Sequence, residues 1–174
     1  GWGGSTETWK EFIAQAQNEY HVLCIDLPCF GTEPCPKEIW GVEQYANFVY
    51  DKLSRFKIQD SRFILLGHSF GGAVAVQLVA DHPELVSKLI LSGAAVIRPP
   101  VTLKRKVFGI FARIGSFVFG IPPLSLFKNT ARKVLYKAAD SPDYLNTSGI
   151  QREIYKKIIR QDLQQLLSRI QTPT

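Results

Sequence analysis

No apolar run of about 20 residues occurs anywhere in the sequence, so a membrane-spanning helix is not expected. Cysteine is scarce and odd in number: Cys24, Cys29 and Cys35 form no Cys-x-x-Cys pair and no Cys/His cluster. This argues against a structural zinc site, and with Cys24 inside an apolar run the expectation is reduced thiols in a cytoplasmic protein. Histidine is limited to His21, His68 and His82, which leaves few candidates for a general base. Acidic residues are missing altogether from Arg98 to Lys137, where nine Lys/Arg are interleaved with Phe108, Phe111, Phe117, Phe119 and Phe127. Otherwise the composition is ordinary: 45% hydrophobic and 21% charged residues suit a globular domain, and 10 prolines with 13 glycines do not suggest disorder.

The most informative stretch is Leu65-Leu66-Gly67-His68-Ser69-Phe70-Gly71-Gly72. It contains Gly67-x-Ser69-x-Gly71, preceded by the apolar run Phe63 to Leu66 and followed by a small-residue apolar run from Ala73 to Ala80. That reads as strand, sharp turn, helix, the context a nucleophile elbow requires. A serine at such an apex sits in strained backbone, and residues two before and two after it crowd each other, so glycine is expected at both Gly67 and Gly71. The helix that follows aims its unpaired N–H groups and positive dipole end at the reacting centre. A developing oxyanion would be stabilised there.

Along the chain, a Gly-rich loop from Gly1 to Ser5 leads into a helix over Thr6 to Tyr20, with Ser5 or Thr6 as N-cap. His21 to Asp26 reads as a short buried strand, ended by a loop with Pro28, Gly31, Pro34 and Pro36. Val42, Tyr45, Ala46, Val49, Leu53 and Phe56 mark an amphipathic helix. The elbow strand and helix follow, the helix stopping at His82-Pro83, and Lys88 to Ser92 reads as a third buried strand. Short apolar strands alternating with helices predict an α/β fold, a parallel sheet covered by helices on both faces. After Gly93 strand patterning stops, and a helical region continues to a helix over Ile150 to Leu167.

These motifs resemble the α/β-hydrolase family. Gly1-Trp2-Gly3-Gly4 is similar to the tail of the family's His-Gly-x oxyanion loop, Asp26-Leu27-Pro28-x-x-Gly31 to its loop after the fourth strand, and Gly67 to Gly72 to its elbow. The resemblance implies a partial hydrolase core over 1–97, a helical cap over 98–167 inserted between the family's sixth and seventh strands, and a return to the core over 168–174. It also implies a fragment that lacks strands 1–3 and 7–8. The family's third strand would lie between His21–Asp26 and the elbow strand, and its triad acid and histidine would follow Thr174.

None of the three histidines suits the role of base. His21 begins its strand, at the edge opposite the chemistry; His68 flanks the serine inside the elbow; His82 lies thirteen residues down the helix, about 20 Å away at 1.5 Å per residue. Asp26, with no histidine to orient, is expected to serve loop hydrogen bonding. The backbone N–H of Phe70 is one oxyanion donor by elbow geometry. By resemblance the other is Trp2, for which the competing reading is a frayed terminal aromatic. The basic aromatic stretch fits a nucleic-acid surface, an anionic membrane surface or a cap whose phenylalanines face a cleft. Its position favours the cap, and no nucleic-acid motif is present. The expectation is therefore a serine hydrolase acting on a carboxylic ester or related acyl bond of a small apolar substrate, with no cofactor and no metal. The alternative is a non-catalytic ligand-binding protein of the same fold.

Overall fold

The computed structural model describes residues 1–56, 62–98 and 147–174, to which every structural statement here refers. Residues 1–98 and 148–174 form one compact unit. Most of the expected cap, residues 99–146, lies outside the described residues, whereas its last part, from Ser148 onward, belongs to the unit that carries the elbow.

The elements follow from local sequence. A 3-10 turn, Thr6–Trp9, runs into α1, Lys10–Ala16. α2, Val42–Arg55, buries Val42, Tyr45, Ala46, Val49 and Leu53, the apolar stripe expected from its 3.6-residue period except for Phe56, which follows the helix and is exposed. β1, Phe63–His68, turns at Ser69 into α3, Phe70–Asp81. α3 is apolar almost all round and is buried from Phe70 to Ala80 except at Gly71 and Gln77. It ends at His82 because the proline that follows disfavours the helical region for the residue before it. β2, Val86–Ser92, pairs parallel with β1, placing Leu65 beside Leu89 and Leu66 beside Ile90. The face of this sheet that carries Phe63, Leu65, Leu89 and Leu91 packs into the core with α2 and α3, while Ile64 and Ile90 on the other face are 48% and 40% exposed.

Three expectations are corrected. His21–Asp26 joins no β-ladder among the described residues, although its apolar pattern is strand-like. A strand exists only where another strand meets its N–H and C=O groups, and no strand among the described residues pairs with this segment. The helix expected over Ile150–Leu167 is two: α4, Gly149–Ile158, and α5, Gln164–Leu167. Arg98 donates from Nη2 to the Ile158 carbonyl and from Nε to that of Gln161, and the Asp162 carboxylate accepts from the Gln164 N–H, so the break is hydrogen-bonded on both sides. The Gln161 side chain in this break also accepts from the Val42 N–H and caps α2.

The third correction concerns cysteine: Cys29 and Cys35 are joined by a disulfide and only Cys24 is free. The loop turns back on itself, with the Cys29 N–H donating to the carbonyls of Glu33 and Pro34, which brings the two Cα atoms within 4.1 Å. The inference from reduced thiols to a cytoplasmic protein therefore does not hold for this pair, since disulfides persist in oxidising compartments. Closing a ring of this size removes about 2 kcal/mol of loop entropy from the unfolded chain. Thiol titration of the unfolded, unreduced protein is expected to find one thiol, and three after reduction. Three before reduction would mean that the bond does not form.

Among the described residues no helix is long and apolar enough to cross a membrane. The outer side of β2 is met at one point by the end of the chain, where the Pro173 carbonyl accepts from the Leu89 N–H at 2.9 Å.

Candidate active site

Ser69 stands between β1 and α3 with φ 52° and ψ −116°. Only it and Cys29 are non-glycine residues with positive φ among those described. Such a conformation costs on the order of 1–3 kcal/mol and persists only where the surroundings enforce it. Here they do. The Ser69 N–H donates to the Ser92 carbonyl at 3.0 Å, and the Ser69 carbonyl accepts from Ala95 at 3.0 Å and from Gly72 and Ala73 of the first turn of α3. Both backbone groups of the serine are thus tied to the carboxyl end of the sheet.

The glycines of the elbow divide differently from expectation. A Cβ on Gly67 would lie 2.7 Å from the Gly71 carbonyl oxygen and from Gly72 Cα, so the strand and the helix touch there backbone to backbone. Gly72 is equally tight, its added Cβ falling 2.5 Å from Ala94 Cβ. At Gly71, by contrast, an added Cβ meets nothing within 4 Å. Gly67 thus approaches the backbone of both Gly71 and Gly72, but a side chain is excluded at Gly67 and Gly72 and not at Gly71.

Phe70, the first residue of α3, has an N–H with no intrahelical acceptor, at the positive end of the helix. Its ring is buried against Tyr45 at 5.0 Å, and the Tyr45 hydroxyl donates to the Pro28 carbonyl at 3.1 Å. Burial pushes that phenol's pKa well above its ordinary value.

Trp2 is not a loose terminal aromatic. Its ring packs against Phe30 at 4.9 Å, Tyr155 of α4 at 4.8 Å and Phe70 at 5.4 Å. Gly1 abuts the elbow: a Cβ placed there would be 3.3 Å from the His68 ring and 3.6 Å from Ser69 Cβ. The segment folds as a turn in which the Gly4 N–H donates to the Gly1 carbonyl, with Gly3 at φ 75°. The N-terminal glycine-rich segment and the elbow, some 65 residues apart in sequence, are therefore neighbours.

The histidines lie as follows. His68 is exposed, its ring 6.4 Å from that of Trp9. His82, at the far end of α3, stacks on Tyr50 at 4.0 Å and faces Glu84 at 3.4 Å. His21 is exposed at the start of its unpaired segment. No hydrogen bond joins any of them to Ser69 among the described residues. No group of three or more His, Cys, Asp or Glu able to hold a metal is present among those residues.

Asp26 does serve loop hydrogen bonding. Burial raises its pKa, but the N–H and hydroxyl donors of Thr6 and Thr32 outweigh this and hold the carboxyl below its ordinary 3.8. A folded-state value below the unfolded one adds stability that is present above about pH 3.8 and is lost as the pH falls through the lowered value. The thermal midpoint of the protein is accordingly expected to exceed that of Asp26→Asn by a constant amount above about pH 5. The difference should shrink below the unfolded carboxylate pKa; one that does not vary between pH 3 and 6 would refute an ionised clamp.

Phe30 and Tyr155 were missed from sequence. Phe30 had a signal in its place within the loop after Asp26, but Tyr155 had none that set it apart from other helix-stripe aromatics.

A family model for the alpha/beta hydrolase fold matches residues 1–117. The chain belongs to that family. It is 32% identical over 128 residues to an uncharacterised protein of Mycobacterium tuberculosis, covering 74% of this chain and 35% of that one. It is 33% identical over 95 residues to the pimeloyl-[acyl-carrier protein] methyl ester esterase of Aeromonas hydrophila, covering 52% of this chain and 34% of the relative. Among solved structures, an esterase from Exiguobacterium antarcticum superposes with a TM-score of 0.66 at 18% identity, over 99% of this chain and 68% of the other. The chain spans about a third of the length of these curated relatives.

Proposed function

We propose that this chain carries the nucleophile and oxyanion half of a serine hydrolase site that acts on a carboxylic ester or related acyl bond of a small, largely apolar substrate. The observation that carries the reading is the conformation of Ser69, a strained serine tied by both backbone groups at the strand-to-helix turn. In this reading the Ser69 hydroxyl oxygen bonds to the substrate carbonyl carbon, and the Phe70 and Trp2 amides hold the oxyanion. The alkoxide leaves with the proton the serine gave up, and water then cleaves the acyl-serine ester to release the acid. The aromatic cluster of Trp2, Phe30, Phe70 and Tyr155 beside the elbow favours an apolar acyl group. That the relative in Aeromonas hydrophila is a methyl ester esterase supports the acyl-ester class.

The partner in this reading is a small-molecule substrate. The same aromatic cluster suits a second reading, a ligand-binding protein that keeps the elbow without the reaction. A fluorophosphonate probe separates the two in a chain that also carries a triad acid and histidine. Labelling at Ser69 that vanishes in Ser69→Ala supports the hydrolase, labelling that persists removes Ser69 from the mechanism, and none in either chain favours the binder.

A further inference from the structure

Asp26 joins two stretches of chain that both reach the elbow, one at Gly1 against His68 and Ser69 and the other at Phe30 against Phe70. Its Oδ1 accepts from the Thr6 N–H at 2.7 Å and from the Thr6 hydroxyl at 2.8 Å. Its Oδ2 accepts from the Thr32 N–H at 3.1 Å and, more loosely, from the Thr32 hydroxyl at 3.4 Å. All four partners are donors. Two carboxylate oxygens can receive them, whereas an amide would turn an NH2 group toward one pair.

Each threonine leads to the site by a short path. Thr6 follows Trp2 by four residues, across the Gly1–Gly4 turn. Thr32 follows Phe30 by two and lies within the ring closed by Cys29–Cys35. Trp2 and Phe30 then meet ring to ring at 4.9 Å. The contacts make a closed circuit, Asp26 to Thr6 to Trp2 to Phe30 to Thr32 and back, and Phe70 touches both rings of its far side. The loop is shaped around the carboxylate: Gly31 has φ 55°, and a Cβ there would collide with Asp26 Oδ2.

We propose that Asp26 is a positioning residue of the hydrolase site, its carboxylate fixing the Gly1–Thr6 segment so that the Trp2 amide stays at the oxyanion position. The inference rests on the reading of Ser69 and Trp2 given above. A loop-stabilising aspartate with no link to the site would make the same hydrogen bonds, but it would not set the order of the oxyanion segment or the rate of the chemical step. Oxyanion donors act on the transition state, so their misplacement lowers kcat and leaves substrate binding largely intact.

The test reads two quantities in Asp26→Asn, Thr6→Val and Thr32→Val. Backbone hydrogen exchange over residues 1–8 needs no turnover. It is expected to accelerate at least tenfold in Asp26→Asn, less in Thr6→Val and least in Thr32→Val, and unchanged exchange in all three overturns the proposal. Hydrolysis of an activated aryl ester is then measured in a chain that also carries a triad acid and histidine. Asp26→Asn is expected to lower kcat at least tenfold with KM within twofold. Faster exchange with an unchanged kcat, or a loss confined to KM, reduces Asp26 to a loop residue and overturns the proposal. Should Asp26→Asn not fold, the two threonine variants carry both readouts. Turnover that survives Ser69→Ala removes the underlying reading of the nucleophile, an outcome distinct from failure of the Asp26 variants alone.

Discussion

The 174 residues by themselves are expected to turn over an activated aryl ester about 10⁶-fold more slowly than a chain extended to carry a triad acid and histidine. Serine is a weak nucleophile at its own pKa and needs an adjacent base to take its proton. All three histidines of the sequence fall among the described residues, so none is hidden elsewhere. His82 is separated from Ser69 by the length of α3, whose twelve residues rise about 18 Å. His21 is exposed at the start of an unpaired segment, and His68, though next in sequence, turns its ring to Trp9 and Gly1. What remains without a base is the oxyanion and binding contribution, about 10³ to 10⁴ over water. Turnover by the short chain that equals the extended one and disappears with Ser69→Ala would reveal a base in these residues.

Gly67→Ala is expected to destabilise the protein by about 3 kcal/mol or more. The methyl would lie 2.7 Å from backbone atoms of Gly71 and Gly72, which cannot swing aside as a side chain can. Relief requires β1 and α3 to separate, yet α3 is held in the core by Phe70, Ala73, Val74, Val76 and Leu78, all buried. The elbow would open and Ser69 would lose the hydrogen bonds that hold its strained backbone. Gly71→Ala provides the contrast. Its methyl meets nothing within 4 Å, and alanine is favoured over glycine in a helix by up to about 1 kcal/mol, less in the first turn where Gly71 lies, so a neutral or slightly stabilised protein is expected. Chemical denaturation of both variants against the parent checks the pair, and equal losses would show that the motif's two glycines are crowded alike.

Much of the fold follows from short-range rules. The apolar stripe of α2, the stop of α3 before Pro83 and the strand-turn-helix around Ser69 each depend on residues within a turn or two of one another, and all were legible. The elbow is the extreme case, because the spacing of two glycines around a serine encodes a steric problem that is almost entirely local. Even there the local rule found the crowding of Gly67 against Gly71 but not which positions exclude a side chain, since Gly72 owes its tightness to Ala94, more than twenty residues on.

What the sequence by itself determined is the strand-turn-helix around Ser69, the helix over Val42–Arg55, the family and the nucleophile candidate, because periodicity, proline and glycine act through bonds and contacts along the chain. Only the tertiary structure decided that His21–Asp26 pairs with no strand among the described residues, that Cys29 meets Cys35, that Trp2 is packed beside Phe70, and that Asp26 binds Thr6 twenty positions away. Each of these depends on where a distant stretch returns. A strand needs a neighbour, a disulfide needs two Cα atoms brought close, and a carboxylate needs donors aimed at it. No residue pattern specifies a partner until the chain has folded back to supply it.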